Sequence, residues 1–160
     1  MKIFISAVGH RMPAWVEVGF HEYSRRMPRG MSVELIEVRP ERRLSKSLTP
    51  AAIRKVQATE GARMLASLPA GCRTVALDES GKLLSTEQLA QQLERWALES
   101  KDVAFLIGGA DGLAESVKKD ASLTLSLSPL TMPHQLVRVL LAEQLYRCMS
   151  LLRNHPYHRE

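Results

Sequence analysis

The chain has little of what marks metal-binding, secreted or membrane proteins. Its two cysteines, Cys72 and Cys148, lie far apart, with no CxxC pairing and no histidine at ligand spacing. A structural zinc site is therefore not expected, and both thiols are predicted to be reduced and packed. The apolar run that opens the chain is cut short by a turn at residues 9–13 (GHRMP). It is too short for a signal peptide, and no run approaches a membrane span, so we expect a cytoplasmic protein.

The sequence also has no internal repeat, low-complexity tract or dividing linker. Its 160 residues are 45% hydrophobic, which argues against disorder and predicts a single domain over residues 1–160. The 22 Lys and Arg residues exceed the 17 Asp and Glu residues, giving a net charge of +5. This excess suits an anionic partner such as nucleic acid, although many soluble proteins carry as much.

Strand-like apolar runs alternate with segments of helical periodicity along the whole chain. Strands are predicted at residues 3–8, 33–38, 74–77, 103–107 and 123–127, with helices from Pro13, Pro50 and Ser85 and over 113–119 and 134–152. This order predicts an α/β fold, a parallel sheet with helices on both faces. The run at 103–107 is the most apolar and should be central. A turn is predicted at residues 78–81, and Gly61 should weaken its helix.

A glycine-rich loop at residues 108–112 (GGADG) follows the fourth strand. Ligands gather at the carboxyl ends of parallel strands, and glycines allow the backbone to approach them closely. A cofactor loop and a tight strand-to-helix turn explain the glycines equally well. A Rossmann dinucleotide site is disfavoured, because the spacing is not G-x-G-x-x-G and the loop is not in the first βα unit.

A second loop, residues 127–133 (LSPLTMP), leads into the last helix. Its prolines fix the path of the chain and leave backbone groups available to a ligand. A simple turn would explain the prolines but not the apolar character. We interpret the loop as the wall of a pocket for a flat ring such as adenine.

The last helix is apolar on more than one face. One sheet cannot cover all of it, so a second protomer is expected to cover the remainder, which predicts a homodimer. Arg138, Glu143 and Arg147 interrupt this surface, and no role is predicted for Arg138; Glu143 and Arg147 lie four residues apart on one face. They either support the helix or belong to a site at the dimer seam.

Two polar segments suit contact with RNA. The tail, residues 153–160 (RNHPYHRE), carries two histidines, a tyrosine and arginines, which can stack on a base and neutralise phosphate. A frayed, solvated terminus is the alternative. The loop at residues 39–46 (RPERRLSK) is basic, and here a solvated loop is at least as good an explanation as phosphate binding.

Four of these segments together carry a family resemblance: residues 8–15 (VGHRMPAW), 106–112 (LIGGADG), 127–134 (LSPLTMPH) and 154–160 (NHPYHRE). In this order, and over the whole length, they resemble the bacterial large-subunit ribosomal RNA pseudouridine N3-methyltransferases, small members of the SPOUT class. The chain has Ala110 and Asp111 where some relatives have Pro-Glu, which should not disturb a contact made by the backbone.

This resemblance implies a C-terminal deep trefoil knot that binds S-adenosylmethionine. The expected reaction is methylation of N3 of a pseudouridine in 23S rRNA, in the stem-loop that reaches the intersubunit decoding region. The substrate is expected to be 23S rRNA in an assembled ribosome, with free RNA as the alternative, and no metal is required. The competing hypotheses are a non-catalytic RNA- or ribosome-binding protein of the same fold and a protein that binds another nucleotide.

The resemblance also suggests site residues. The cofactor is expected against Leu77, Gly108, Gly109, Leu127, Ser128, Pro129, Leu130, Thr131 and Met132. Arg159 is the first candidate to stabilise the deprotonated base, because a guanidinium can pair with a carbonyl or stack on the ring. Glu143 and His134 are candidate proton acceptors, and the sequence does not rank them. His155, Tyr157 and His158 are expected to shape the nucleotide pocket.

Overall fold

The computed structural model describes residues 1–159, and the side chains of residues 1–157. Its elements are β1 (Lys2–Val8), α1 (Ala14–Ser24), β2 (Ser32–Val38), α2 (Pro50–Ala66), β3 (Arg73–Leu83), α3 (Thr86–Leu98), β4 (Val103–Ile107), α4 (Glu115–Asp120), β5 (Leu123–Ser126) and α5 (His134–Leu152). A 3₁₀ turn, Pro156–Arg159, follows α5. The strands form one parallel sheet in the order β2-β1-β4-β3-β5. The predicted α/β architecture is confirmed.

Both faces of the sheet are covered, because successive side chains of a strand point to opposite faces. On β1, Ile3 and Ile5 join a large core with α1, α3 and α5. Phe4 and Val8 join a smaller core with α2 and α4. All five residues of β4 are buried, and β4 is the third of five strands, so the prediction of a central strand is confirmed.

Local signals explain where several helices begin. The Thr49 hydroxyl accepts a hydrogen bond from the amide of Ala52, and Ser85 forms a capping box with Gln88 at the start of α3. Gly61 lies inside α2, which continues past it to Ala66, and the expected weakening of this helix stays a prediction. A Cβ at this position would lie 2.8 Å from Cγ2 of Val117, so the glycine allows α2 and α4 to pack closely.

The prediction of a turn at residues 78–81 is wrong, because β3 continues through this segment to Leu83. The register shifts between Leu77 and Lys82, and the strand then pairs again with β5. A Cβ on Gly81 would lie 2.7 Å from the carbonyl carbon of Leu125, so the glycine permits this close pairing. Pairing with a neighbouring strand therefore overrides the local turn signal.

The apolar faces of α5 are largely covered within one protomer. The expectation that a second protomer is needed to cover this helix is therefore corrected. The helix packs against α1 and α3 as well as the sheet, and Leu141 and Leu145 are fully buried. Leu140 is the large apolar residue of α5 that stays exposed, at 36%. Among the described residues, no helix is both long and apolar enough to cross a membrane.

Candidate functional site

A cavity of about 760 Å³ opens at the carboxyl ends of β3, β4 and β5. This volume lies in the range typical of small-molecule sites. Its lining is Leu77, Asp78, Glu79, Ser80, Ile107, Gly108, Gly109, Ala110, Asp111, Gly112, Leu125, Leu127, Ser128, Leu130, Thr131, Met132, Pro133, His134 and Val137. The glycine-rich loop and the loop at residues 127–133 thus form one pocket.

The glycine-rich loop is folded back on itself. The amide of Gly112 donates to the carbonyl oxygen of Gly109 at 3.0 Å, and Gly112 has a φ of +78°. A Cβ on Gly108 would lie 2.5 Å from the carbonyl carbon of Gly112 and 2.7 Å from the amide nitrogen of Leu113. Only a residue without a side chain fits at Gly108, because the obstructing atoms are backbone.

The loop at residues 127–133 is held by short-range and cross-pocket hydrogen bonds. The Ser128 hydroxyl accepts from the amide of Leu130 at 3.0 Å. The Thr131 hydroxyl lies 3.0 Å from Oε2 of Glu79, which belongs to the far side of the cavity. This bond connects the loop to the outer part of β3 across the pocket.

The wall contributed by β3 is acidic. Burial would raise the pKa of the Asp78 carboxyl, but hydrogen bonds from Ser80 and Lys118 outweigh it and lower the pKa below its ordinary value. Lys118 lies 3.1 Å from Asp78. Asp78 is therefore ionised at neutral pH, but Lys118 neutralises its charge, and Arg43 neutralises that of Asp111. Among the described residues, Glu79 is the carboxylate of the pocket with no ion pair, and it can suit a cationic ligand.

His134, the first residue of α5, lines the cavity beside a buried arginine. Burial lowers the pKa of His134, and the charge of Arg138 lowers it further, so the imidazole is neutral near pH 7. Arg138 is only 1% exposed and donates to the carbonyl oxygens of Val8 at 3.2 Å and Gly9 at 3.0 Å. It thereby fixes the loop after β1 next to His134.

Glu143 belongs to a different cluster. Its Oε1 accepts from Nε of Arg147 at 2.8 Å and from the Tyr157 hydroxyl at 3.1 Å. The Arg147 guanidinium also lies 4.9 Å from the ring centroid of Tyr157, which packs 4.7 Å from the ring of Tyr146. The tail is therefore packed against α5 up to Tyr157 rather than frayed.

The structure brings together eight of the nine expected cofactor residues and His134 around one cavity. Pro129 is exposed and is not among the residues that line it. Glu143 follows His134 by nine residues of one helix, about 13 Å along the axis. Within one protomer, the two candidate proton acceptors therefore lie in different places.

The candidate site residues of the tail fall into two groups. Tyr157 and His155 lie near the Glu143 cluster, with the amide of Tyr157 3.4 Å from Nδ1 of His155. The side chains of His158 and Arg159 lie outside the described residues. The roles predicted for these two residues stay predictions.

Two buried residues near the pocket were missed by the sequence analysis. Arg138 sits in an apolar helix, where the pattern gave it no role. Glu60 is 6% exposed beneath the glycine-rich loop, where a Cβ on Gly109 would lie 3.1 Å from its Oε2. Burial raises the pKa of Glu60. Neither contact leaves a local sequence signal, since the partners are distant in the chain.

Comparison with known proteins agrees with this geometry. The sequence model of the family described as "Predicted SPOUT methyltransferase" matches residues 1–158. The chain belongs to the SPOUT methyltransferase family. A probable methylase family protein from Haemophilus influenzae Rd KW20 shares the fold at a TM-score of 0.54, with 11% identity over 97% of this chain and 68% of that one.

Closer members of the SPOUT methyltransferase family are similar over almost the entire chain. A protein of Ralstonia pickettii (strain 12J) named ribosomal RNA large subunit methyltransferase H is 54% identical over 159 residues, which is 99% of each chain. The protein of the same name from Cupriavidus metallidurans is 55% identical over the same share. The family resemblance inferred from the four sequence segments is confirmed.

Proposed function

We propose that this SPOUT methyltransferase transfers a methyl group from S-adenosylmethionine to N3 of a pseudouridine in 23S rRNA. The observation that carries the proposal is the full-length identity of 54% to enzymes named ribosomal RNA large subunit methyltransferase H. It is supported by the way the glycine-rich loop and the loop at residues 127–133 enclose one cavity. The knot implied by the family is part of this proposal.

The residues around the cavity fit S-adenosylmethionine. Its adenine needs an apolar slot, which Leu77, Leu127 and Met132 offer, and its cationic groups suit the carboxylate of Glu79. Without a side chain at Gly108, the glycine-rich loop can fold tightly against Gly112 and Leu113, and this fold forms one wall of the cavity. When bound, the cofactor supplies an electrophilic methyl group, and the chain's own residues orient the base and remove its proton.

N3 of the base lies between two carbonyls, so it is a poor nucleophile until its proton leaves. His134 is the better candidate acceptor, because it is neutral near pH 7 and lines the cavity. Glu143 already accepts hydrogen bonds from Arg147 and Tyr157, and we assign it to holding the tail. Arg159 stabilises the anionic ring.

The direct test is methyl incorporation into ribosomes that lack the modification. We expect transfer that depends on S-adenosylmethionine, is inhibited by S-adenosylhomocysteine, and yields N3-methylpseudouridine on nucleoside analysis. Ribosomes that already carry the modification serve as the control and should accept no methyl group. Ribosome binding without methyl transfer would favour the non-catalytic RNA-binding alternative, while binding of neither cofactor form would favour a different nucleotide.

We further propose that the active unit is a homodimer, in which Glu143 and the tail of one copy lie over the cavity of the other. The separation of Glu143 from His134 along α5 motivates this arrangement. Apolar surface for the interface is present on α1, where Trp15 and Val18 are 58% and 69% exposed. Leu140 is also exposed, and it belongs to α5, the helix on which α1 packs.

Val18→Glu is therefore expected to shift the protein from dimer to monomer in sedimentation at micromolar concentration. Burying an unpaired carboxylate in an interface costs several kcal/mol, whereas in the protomer Val18 is exposed. Leu98→Glu, at an 81% exposed position at the end of α3, is the matched control and should remain dimeric. A monomeric wild type that methylates ribosomes would contradict the dimer.

A further inference from the structure

Cationic side chains are concentrated beside the pocket, on the loops that follow β1 and β2. Because the sheet is parallel, these loops lie at the same edge as the cavity, and β1 is hydrogen-bonded to both β2 and β4. We call this group the basic rim; its members are Arg11, Arg39, Arg42, Arg43 and Lys46 on these loops and Arg54 near the start of α2. The basic rim therefore lies beside the opening of the cavity, along the same edge of the sheet.

The rim carries uncompensated positive charge. Its six side chains are exposed. Within the described part of the chain, Arg43 is the rim member that forms an ion pair, at 3.3 Å from Asp111. The carboxylate within the loop, Glu41, is paired with Arg63 of α2 instead. Arg39, Arg42 and Lys46 are therefore left without a neutralising carboxylate among those residues.

The backbone of the rim is nevertheless fixed. The amide of Glu41 donates to Oε1 of Glu60 at 3.0 Å, and Arg63 donates to the carbonyl oxygen of Arg39 at 3.1 Å. Two residues after Glu41, the Arg43–Asp111 pair joins the loop to the glycine-rich loop of the cavity. The cations are thus presented from an anchored loop, which lowers the entropy lost when they bind a ligand.

We propose that the basic rim binds the sugar-phosphate backbone of the RNA that flanks the target base. This inference rests on the proposed function and adds a second contact surface to it. Exposed arginines and lysines without internal partners are what phosphate binding requires. The position of the rim beside the cavity means that one RNA strand can contact the rim while its neighbouring nucleotide enters the pocket.

The test compares two variants of the full-length protein that lose the same charge. In the rim variant, Arg39, Arg42 and Lys46 are each changed to Gln. In the control, Arg29, Arg95 and Lys101 are changed to Gln; these exposed residues lie at or near the amino edge of the sheet. We expect KM for unmodified ribosomes to rise on the order of 10- to 100-fold in the rim variant only.

Three further readouts make the test specific for phosphate contacts. In the rim variant, the slope of log(kcat/KM) against log salt should fall in magnitude by about two to three, roughly one per lost contact. The affinity for S-adenosylhomocysteine and kcat at saturating ribosomes should not change. Affinity for protein-free 23S rRNA should fall together with affinity for ribosomes.

The outcomes separate this proposal from the proposed function. If wild type transfers no methyl group, the proposed function fails. If wild type is active but the rim variant matches the control in KM and salt slope, the rim does not bind RNA. If the rim variant loses affinity for ribosomes but keeps it for protein-free RNA, the rim contacts a ribosomal protein, and the proposal is wrong.

Discussion

Replacing Arg159 with Ala is expected to lower kcat for ribosome methylation on the order of 100- to 1,000-fold. This is the usual effect of removing a donor aimed at charge that develops in the transition state. Cofactor affinity should be unchanged, because Arg159 is not among the residues proposed to hold the cofactor. Arg159→Lys should recover little activity, since an ammonium cannot reproduce a planar guanidinium. Deleting residues 154–160 should abolish transfer as well.

The measurement is methyl incorporation alongside a titration with S-adenosylhomocysteine. Arg153→Ala is the matched control, because it removes an arginine six residues earlier whose guanidinium donates to the carbonyl oxygen of Arg29. It should remain active. The deletion alone would be ambiguous, since it also removes the packing of Tyr157 on α5. Full activity of Arg159→Ala would show that the assignment of the tail is wrong.

Replacing Gly108 with Ala is expected to abolish cofactor binding. The new Cβ would lie 2.5 Å and 2.7 Å from backbone atoms of Gly112 and Leu113, so the glycine-rich loop would have to move. Gly109→Val should act in the same direction, because a Cβ there already lies 3.1 Å from Glu60 and from Val8. Methyl transfer should be lost with the binding.

Thermal or chemical unfolding with and without S-adenosylhomocysteine measures this effect. At 100 times its dissociation constant, the ligand should stabilise wild type by about 2.7 kcal/mol. The Gly108→Ala protein should show no such gain. Gly30→Ala is the control: its backbone is left-handed (φ +87°), and no atom of the described residues lies within 4 Å of a Cβ there, so it should lose stability but keep the gain. An equal gain in Gly108→Ala would overturn the proposed role of the loop.

Local patterns in the sequence were sufficient for most of the fold. The start of α3 at Ser85, which caps the helix, and the bounds of α5 at His134 and Leu152 were predicted as they occur. These features depend on interactions within a few residues. The continuation of β3 past Leu77 was missed, because it depends on pairing with β5, more than forty residues later.

The site was predictable where it consists of loop segments and not where it depends on contacts between them. The two loops rich in glycine and proline were recognised separately, and the family resemblance joined them. The environments of Glu60 and Arg138 could not be anticipated, since their partners are 19 and about 130 residues away. The separation of Glu143 from His134 follows from helix geometry. Only the position of the cavity shows that His134 lines it and that Glu143 belongs to a different cluster.

The contact between Gly61 and Val117 limits how this protein can be made more stable. Exchanging a mid-helix glycine for alanine is a standard stabilising change, because it gains roughly 1 kcal/mol in helix propensity. Here the added methyl group would lie 2.8 Å from Val117 and push α4 away from α2. Because α4 begins three residues after Gly112, the displacement would reach the cofactor loop. Replacing Gly61 with alanine to stabilise α2 would therefore disturb the cofactor site.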